Sequence, residues 1–189
     1  MKKIIFFSFL ILVGLHSFSQ TINCVIKTSL GDIYVELYQD KAPITVNNFM
    51  KYVDRDLYMN SSFFRTCTPE NEADRDIKIE VIQGGDIAEE KLFDPIQIET
   101  TEQTGILHKH GTISMARAEP NTAQSNFFIC INDQPELDFK GKRNPDGQGF
   151  AAFGQVSKGM NIVLKIQAQE NEGQMMPKPI VIYNIQRIK

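Results

Sequence analysis

The chain has 189 residues, of which 42% are hydrophobic and 23% are charged, and its formal net charge is −3. This length favours one domain, and so ordinary a composition excludes disordered and repetitive classes of protein. Tryptophan is absent whereas phenylalanine occurs 13 times, which predicts a core rich in phenylalanine.

The first 19 residues have the layout of a secretory signal peptide. A short basic start precedes an almost unbroken apolar run from Ile4 to Leu15, and the small residues Ser17 and Ser19 occupy the cleavage-determining positions. A transmembrane anchor is the alternative, but a spanning helix needs roughly 20 apolar residues. We therefore expect export, removal of residues 1–19 with no stable membrane insertion afterwards, and a periplasmic or secreted domain over residues 20–189.

A lipoprotein signal would need small residues directly before a cysteine, and Thr21-Ile22-Asn23-Cys24 fits that pattern poorly. Removal of the signal peptide takes away Lys2 and Lys3 and no acid, which leaves 18 basic and 23 acidic residues and a net charge of −5. Proteins that bind nucleic acids usually carry a basic patch, so this balance argues against a nucleic-acid partner.

Two strands around a turn are predicted at the start of the domain. Residues 23–28 and 33–38 flank Ser29-Leu30-Gly31-Asp32, and the second run alternates apolar and polar residues. A helix follows, because Pro43 suits a first helical turn. The apolar residues that recur after it at helical spacing are Val46, Phe49, Met50 and Val53.

Short strands dominate the rest of the chain. They are predicted at Ser61–Thr66, Ile79–Gln83, Gly111–Met115, Asn126–Ile131 and Ala151–Val156. A second helix is predicted from about Lys158 to Ala168, and Pro179–Ile188 closes the chain as an alternating strand. Many short strands with two helices and no βαβ rhythm indicate an antiparallel barrel or sandwich.

Two long polar loops interrupt the strands. Residues 67–76 form an acidic loop, and residues 139–149 form a basic loop rich in turn-forming residues. Loops of this length in a compact domain are usually functional or mobile. The sequence does not show what either loop contacts.

Three cysteines remain after removal of the signal peptide, namely Cys24, Cys67 and Cys130. In an oxidising compartment this odd number leaves at least one thiol unpaired. Cys130 lies in an apolar run, which indicates a small core residue rather than a reactive one. A disulfide between Cys24 and Cys67 is possible, and the sequence does not decide it.

Four segments, in order along the chain, resemble the cyclophilin family of peptidyl-prolyl isomerases. They are Ala42–Phe49, Ser62–Arg65, Ile82–Asp86 and Gly111–Ala118. The second resembles the family's Phe-His-Arg strand, with Phe64 in place of the histidine, and the third contains its Gln-Gly-Gly-Asp signature. The fourth, Gly-Thr-Ile-Ser-Met-Ala-Arg-Ala, is the most specific. Together with Pro120–Thr122, Ser125–Ile129 and Phe153–Val156 they extend over essentially the whole mature chain.

The resemblance implies a mainly β fold, an eight-stranded antiparallel closed β-barrel with two capping α-helices. It also implies an active groove on the outer barrel surface and no metal or organic cofactor. The implied activity is isomerisation of X-Pro bonds, which would assist the folding of exported proteins. The implied partners are proline-containing segments of unfolded or exported proteins, and we expect a monomer.

Three residues are implied to be catalytic. Arg65 occupies the position of the family's catalytic arginine, whose forked guanidinium would donate hydrogen bonds to the substrate. Gln83 corresponds to a groove glutamine that binds the substrate backbone and orients the arginine. Phe128 would form the floor of the proline pocket. Successive strand residues point to opposite faces, so only one of Phe127 and Phe128 lines the groove, and the resemblance selects Phe128.

The remaining implied site residues bind substrate. Val81 and Leu137 would form the pocket walls, and Ala116 and Arg117 would offer main-chain hydrogen bonds. Asn126 and Phe150 are the other implied substrate-binding residues, and both depart from the family pattern, with Asn126 in place of a glutamine and Phe150 in place of a histidine or tyrosine. Two further departures are Glu80 in place of a phenylalanine and Glu136 in place of a tryptophan.

His108 and His110 share a strand face, but two ligands make a poor metal site, and His108 fits a structural histidine of the family. Three interpretations of the function are open. The first is an isomerase, and the second is a low-activity cyclophilin-like binding module or chaperone for proline-containing segments. Glu80, Asn126 and Glu136 leave room for that second interpretation. The third is a structural barrel whose groove is blocked by the two long loops.

Overall fold

In the computed structural model, which describes residues 21–188, eight strands and three helices are present. The strands are β1 (Thr21–Thr28), β2 (Gly31–Tyr38), β3 (Ser61–Cys67), β4 (Val81–Gly84), β5 (Thr112–Met115), β6 (Phe127–Cys130), β7 (Ala151–Lys158) and β8 (Met175–Arg187). The helices are α1 (Pro43–Val53), α2 (Thr101–Thr104) and α3 (Met160–Gln167). The predicted signal peptide lies outside the described residues. Among the helices of residues 21–188, none has the length and apolar character needed to cross a membrane.

The strands close into one antiparallel barrel, in the order β1-β2-β7-β5-β6-β4-β3-β8, and β8 pairs back onto β1. This confirms the predicted fold class and excludes the sandwich that the strand pattern alone left open. Closure pairs both sides of every strand, so the described sheet offers no free edge to another chain.

The helices α1 and α3 lie at opposite ends of the barrel. The chain enters α1 soon after Tyr38, the last residue of β2, whereas Ile162 of α3 packs against Gly31, the first residue of the same strand. Glu99 stabilises the start of α1, because its carboxylate accepts hydrogen bonds from the backbone N–H groups of Ile44 at 3.1 Å and Thr45 at 2.8 Å. These donors have no partner inside the helix, and a negative charge is favourable there.

Aromatic rings fill the barrel interior, as the composition predicts. The ring centroid of Phe49 lies 5.2–5.5 Å from those of Tyr58, Phe127 and Phe153. Phe49 and Phe127 meet edge to face at 88°, a favoured geometry for aromatic pairs. All four side chains are buried, so this cluster ties α1 to the strands beneath it.

The helix α2 is not predicted by sequence periodicity, because a single turn is too short to show a repeat. A capping box between Thr100 and Gln103 and the left-handed Gly105 at its end stabilise it. The predicted strand boundaries agree with the structure to within two residues, except at the start of β8. The fourth strand begins at Val81 rather than two residues earlier, and β8 begins at Met175 rather than four residues later. Prolines argue against a regular strand, but β8 pairs irregularly with β3 in this region.

All three cysteines are free and buried. The thiol of Cys24 lies 3.7 Å from the sulfur of Met50 inside the barrel, whereas Cys67 belongs to a separate outer cluster. The Cys24–Cys67 disulfide left open by the sequence is therefore absent. Burial raises the pKa of Cys24 to about 12 and that of Cys67 to about 11, so neither thiol is readily ionised.

Gly154 is a sensitive position for barrel closure. It lies on β7 between Leu37 of β2 and Ile113 of β5, and an added Cβ would collide with the backbone carbonyl of Glu36. We expect Gly154→Ala to lower the free energy of unfolding by about 3 kcal/mol, measured by urea denaturation.

Gly105→Ala is the matched control. Apart from the adjoining residues, no atom of residues 21–188 lies within 4 Å of an added Cβ there, so only the left-handed backbone is strained and the cost is about 1 kcal/mol. Equal losses in the two variants would contradict the close packing of β7 against β2.

Candidate active site

Arg65 reaches the outer surface of the barrel because β3 contains a bulge at Phe64. Phe63 pairs with Gly84 and Arg65 with Gln83, so two steps along β3 oppose one step along β4. Phe63 points into the barrel and is fully buried. Regular alternation would send the residue two positions later the same way. The extra residue turns Arg65 outwards instead.

The neighbouring strands continue a row of outward-facing residues that begins at Arg65. Gln83 of β4 pairs with Phe128 of β6, and Phe128 pairs with Ser114 of β5. Phe127 belongs to the barrel core, whereas Phe128 lies in the outer cluster. The structure thus places Phe128, and not Phe127, beside the groove.

A cavity of about 420 Å³, partly open to solvent, lies over this row. Its lining includes all nine residues that the resemblance implied, which are Arg65, Val81, Gln83, Ala116, Arg117, Asn126, Phe128, Leu137 and Phe150. Because the groove is open, the interpretation of a barrel blocked by its two long loops is wrong.

Two glutamine side chains hold the guanidinium of Arg65. Nη1 donates to Oε1 of Gln83 at 2.7 Å, while Nε and Nη2 donate to Oε1 of Gln174 at 3.0 and 2.6 Å. Both acceptors are neutral, and no ion pair among residues 21–188 includes Arg65. A guanidinium has five N–H donors, so the fork is fixed while its charge and two donors stay available.

The apolar part of the cavity is built on Phe128. Phe150 packs edge to face against it at a centroid distance of 5.4 Å and an angle of 89°. Val81 and Leu137 are buried in the same outer cluster. Together these side chains give the cavity an apolar floor and apolar walls.

Ile79 also lines this pocket and was missed by the sequence reasoning. It is buried in the outer cluster, whereas Glu80, the residue that the motif aligns with a pocket phenylalanine, accepts a hydrogen bond from Asn132 at 3.3 Å. Ile79 thus supplies this wall one residue before the position that the motif aligns with the family's phenylalanine. Glu136 does not line the cavity either, because its carboxylate accepts the backbone N–H of Lys142 at 2.8 Å.

The polar groups on the other side of the groove differ in whether they are free to form a hydrogen bond with a bound molecule. The N–H of Ala116 donates to the carbonyl of Asn126 at 2.8 Å, so only the Ala116 carbonyl is available for a main-chain contact. The side-chain oxygen Oδ1 of Asn126 is buried and has no hydrogen-bond partner within residues 21–188. Its burial keeps it from direct contact with a substrate in this conformation.

The side chain of Arg117 fixes the end of the 139–149 loop. It donates to the carbonyl of Gly149 at 2.8 Å and to both oxygens of Asp146 at 2.8 and 2.9 Å. Its guanidinium also lies 5.2 Å from the ring centre of Phe150. These hydrogen bonds lower the pKa of Asp146, and the contact keeps Phe150 in the pocket wall.

The two long loops meet beside the groove, which the sequence did not reveal. Glu72 of the acidic loop pairs with Arg143 of the basic loop, and Gln174 donates to the same carboxylate at 2.8 Å. The opposite charges of the loops were the available signal. Neither Glu72 nor Gln174 belongs to a recognised motif, so the sequence could not select them.

His108 lies behind the pocket floor. Its Nδ1 is 2.8 Å from Asp138 and its Nε2 is 2.9 Å from Ser114, and its ring stacks on Phe128 at 5.9 Å. The prediction that His108 and His110 share a strand face is wrong, because both precede β5, and His108 is buried whereas His110 is exposed. The Nδ1 of His110 accepts the N–H of Asn132 at 3.2 Å. In the part of the chain that the structure describes, no group of three or more His, Cys, Asp or Glu residues could hold a metal ion.

Comparisons with known proteins match this architecture. The profile of the family described as "Cyclophilin type peptidyl-prolyl cis-trans isomerase/CLD" matches residues 23–187. A peptidyl-prolyl cis-trans isomerase of Acinetobacter baylyi is 35% identical over 161 residues, covering 82% of this chain and 77% of that protein. Peptidyl-prolyl cis-trans isomerase B of Escherichia coli is 34% identical over 145 residues, covering 74% of this chain and 80% of that protein.

Solved structures share the fold at lower sequence identity. A crystal structure of a Cryptosporidium parvum cyclophilin type peptidyl-prolyl cis-trans isomerase superposes with a TM-score of 0.69 at 21% identity, covering 90% of this chain and 99% of that one. A second crystal structure of that protein, in the presence of the dipeptide Ala-Pro, gives a TM-score of 0.67 at 22% identity, covering 88% and 99%.

The burial of His108 makes stability depend on pH. Desolvation lowers its pKa below the ordinary 6.5, although the hydrogen bond that its ring donates to Asp138 opposes this shift. The unfolded chain therefore binds more protons than the folded chain, and stability falls as the pH drops through about 6.5. We expect urea denaturation to show this loss between about pH 7.5 and about pH 5.5.

His108→Asn should remove that part of the slope while lowering stability at the higher pH. His110→Asn is the matched control, because His110 is exposed, and it should keep the slope. An unchanged slope in His108→Asn would show that His108 is protonated equally in the folded and unfolded chains.

Proposed function

The chain belongs to the family of cyclophilin-type peptidyl-prolyl cis-trans isomerases, and we propose that its groove catalyses isomerisation of X-Pro bonds through Arg65, Gln83 and Phe128. The peptide C–N bond has partial double-bond character, and its rotation faces a barrier of roughly 18–20 kcal/mol. Uncatalysed exchange of X-Pro bonds takes tens to hundreds of seconds. The reaction needs no nucleophile and no general base. It needs a held proline ring and charge placed to favour the twisted transition state.

The observation that carries the proposal is the position of the Arg65 guanidinium beside the apolar pocket. No carboxylate of residues 21–188 neutralises its charge, and its fork is oriented by Gln83 and Gln174. One of its two remaining donors can hold the proline carbonyl, and the other, directed towards the imide nitrogen, weakens the resonance of the X-Pro amide. A charge-assisted hydrogen bond contributes about 1.5–3 kcal/mol, which corresponds to roughly one to two decades of rate.

Substrate binding divides into an apolar and a polar part. The proline ring packs on Phe128 between Val81 and Leu137, and the main-chain carbonyl of Ala116 takes a backbone N–H of the substrate. Main-chain contacts of this kind accept many sequences around proline. The crystal structure of the Cryptosporidium parvum relative in the presence of Ala-Pro supports a proline-containing segment as the partner.

The activity can be tested by NMR exchange spectroscopy on a short Ala-Pro peptide. The wild type should accelerate cis/trans exchange, and Arg65→Ala should lower kcat/KM by about 10- to 100-fold. Arg65→Lys should recover only part of the loss, because an ammonium lacks the planar fork. Lys165→Ala, an exposed residue of α3, is the control that should retain full activity.

Two results would contradict the proposal. Binding of the peptide without acceleration by the wild type would favour the binding module, the second interpretation. Acceleration that survives Arg65→Ala would keep the activity but remove Arg65 from the mechanism.

The biological role that we propose is to assist the folding of exported proteins, since isomerisation of X-Pro bonds is slow enough to limit folding. It rests on the apolar leader and on the small residues at its predicted cleavage site. We expect the protein purified from the periplasm or medium to begin at Gln20, as read by intact-mass spectrometry. A mature chain that begins at a lipidated Cys24, or that retains Met1 in the cytoplasm, would contradict this role.

A further inference from the structure

A buried carboxylate lies one side chain away from Arg65, in the loop between β3 and β4. The side chain of Glu72 has no exposed surface, although Glu70 and Asp74 of the same loop are exposed. An isolated charge in a protein interior is costly. The burial of Glu72 therefore indicates a specific set of partners.

Four hydrogen bonds saturate the two oxygens of Glu72. Arg143 donates from both Nη atoms, with Nη1 at 2.8 Å from Oε2. The backbone N–H of Ile79 donates to Oε2 at 2.8 Å, and Nε2 of Gln174 donates to Oε1 at 2.8 Å. A carboxylate has about four lone-pair positions, so all of them are used.

The charge of Glu72 persists at neutral pH. Burial by itself raises the pKa of this carboxyl, but the hydrogen bonds from Arg143 and Ile79 outweigh it, and the pKa lies below the usual value of a glutamate. Arg143 is the main counter-ion because its side chain is only 7% exposed. Arg75 is more distant, at 3.9 Å, and largely exposed.

Gln174 connects this carboxylate to Arg65. Its amide has a donating end and an accepting end. An ionised carboxylate only accepts, so Glu72 selects the orientation in which the NH2 group faces it and the oxygen faces the guanidinium. That oxygen then accepts from Nε and Nη2 of Arg65 at 3.0 and 2.6 Å.

We propose that Glu72 is a positioning residue for the isomerase reaction, which fixes the guanidinium of Arg65 through the amide of Gln174 and the pocket wall through the backbone of Ile79. The inference rests on the activity proposed above. A direct Arg65–Glu72 pair would neutralise the cation, whereas an intervening amide orients it and leaves its charge for the substrate. Arg143 allows the carboxylate to be buried, which gives the two long loops one shared role.

Two variants and their combination test this inference. Glu72→Gln keeps the size of the side chain and removes its charge, and Gln174→Met removes the bridging amide. Each should lower kcat for an Ala-Pro peptide by about tenfold, and KM of Gln174→Met should stay within about twofold because the pocket residues are untouched. The kcat of the double variant should be no lower than that of the less active single variant, because both changes interrupt the same path.

A second measurement is independent of turnover. In 15N NMR spectra, the Nε–H proton of Arg65 should exchange with water several-fold faster in both variants than in the wild type, because its acceptor is lost or misoriented. Glu70→Gln is the matched control, an exposed acid of the same loop, and should change neither kcat nor the exchange rate.

Provided that the wild type is active, three outcomes would overturn the inference. They are a kcat of Gln174→Met within twofold of the wild type, losses that multiply in the double variant, and an unchanged Nε–H exchange rate. If Glu72→Gln does not fold, the kcat and the Nε–H exchange rate of Gln174→Met decide whether the inference holds. An inactive wild type would contradict the proposed function instead, and the Nε–H rates would still decide whether Glu72 positions Arg65.

Discussion

A guanidinium can act on a peptide bond only if it is held still and keeps its charge. Carboxylates hold guanidinium groups well but neutralise them, and water leaves them mobile. In this protein two neutral amides, from Gln83 and Gln174, bind three of the N–H groups of Arg65. The first carboxylate along this path is that of Glu72, on the far side of Gln174.

The barrel supplies the frame that this arrangement needs. Closure fixes the register of β3, β4 and β6, so that Arg65, Gln83 and Phe128 stand side by side. One face of each strand packs inwards around the aromatic core, and the other face is left for the groove. The bulge at Phe64 is the one irregularity that the site requires, because it brings Arg65 to the outer face.

The sequence predicted the parts of the site that depend on local pattern. Alternation along β6 and the family motifs correctly assigned Phe127 to the core and Phe128 to the groove side, and they placed Val81, Gln83 and Leu137 along the cavity. The closed barrel also followed from those motifs, whereas strand periodicity alone left a sandwich open.

Other parts depend on contacts between distant segments, which no local pattern encodes. Gln174 is 109 residues from Arg65, and Glu72 is one of several acids in its loop, so neither could be singled out. The bulge at Phe64 leaves no trace in residue type. The motif aligns Glu80 with a pocket phenylalanine of the family, and no local pattern shows that Ile79 supplies that wall instead.

The most direct test of the mechanism is a crystal structure of the protein with an Ala-Pro dipeptide bound. The mechanism predicts the proline ring against Phe128, between Val81 and Leu137. It also predicts that Arg65 donates to the proline carbonyl while it keeps its hydrogen bonds to Gln83 and Gln174. A proline ring elsewhere in the cavity, or a guanidinium turned away from the dipeptide, would contradict it.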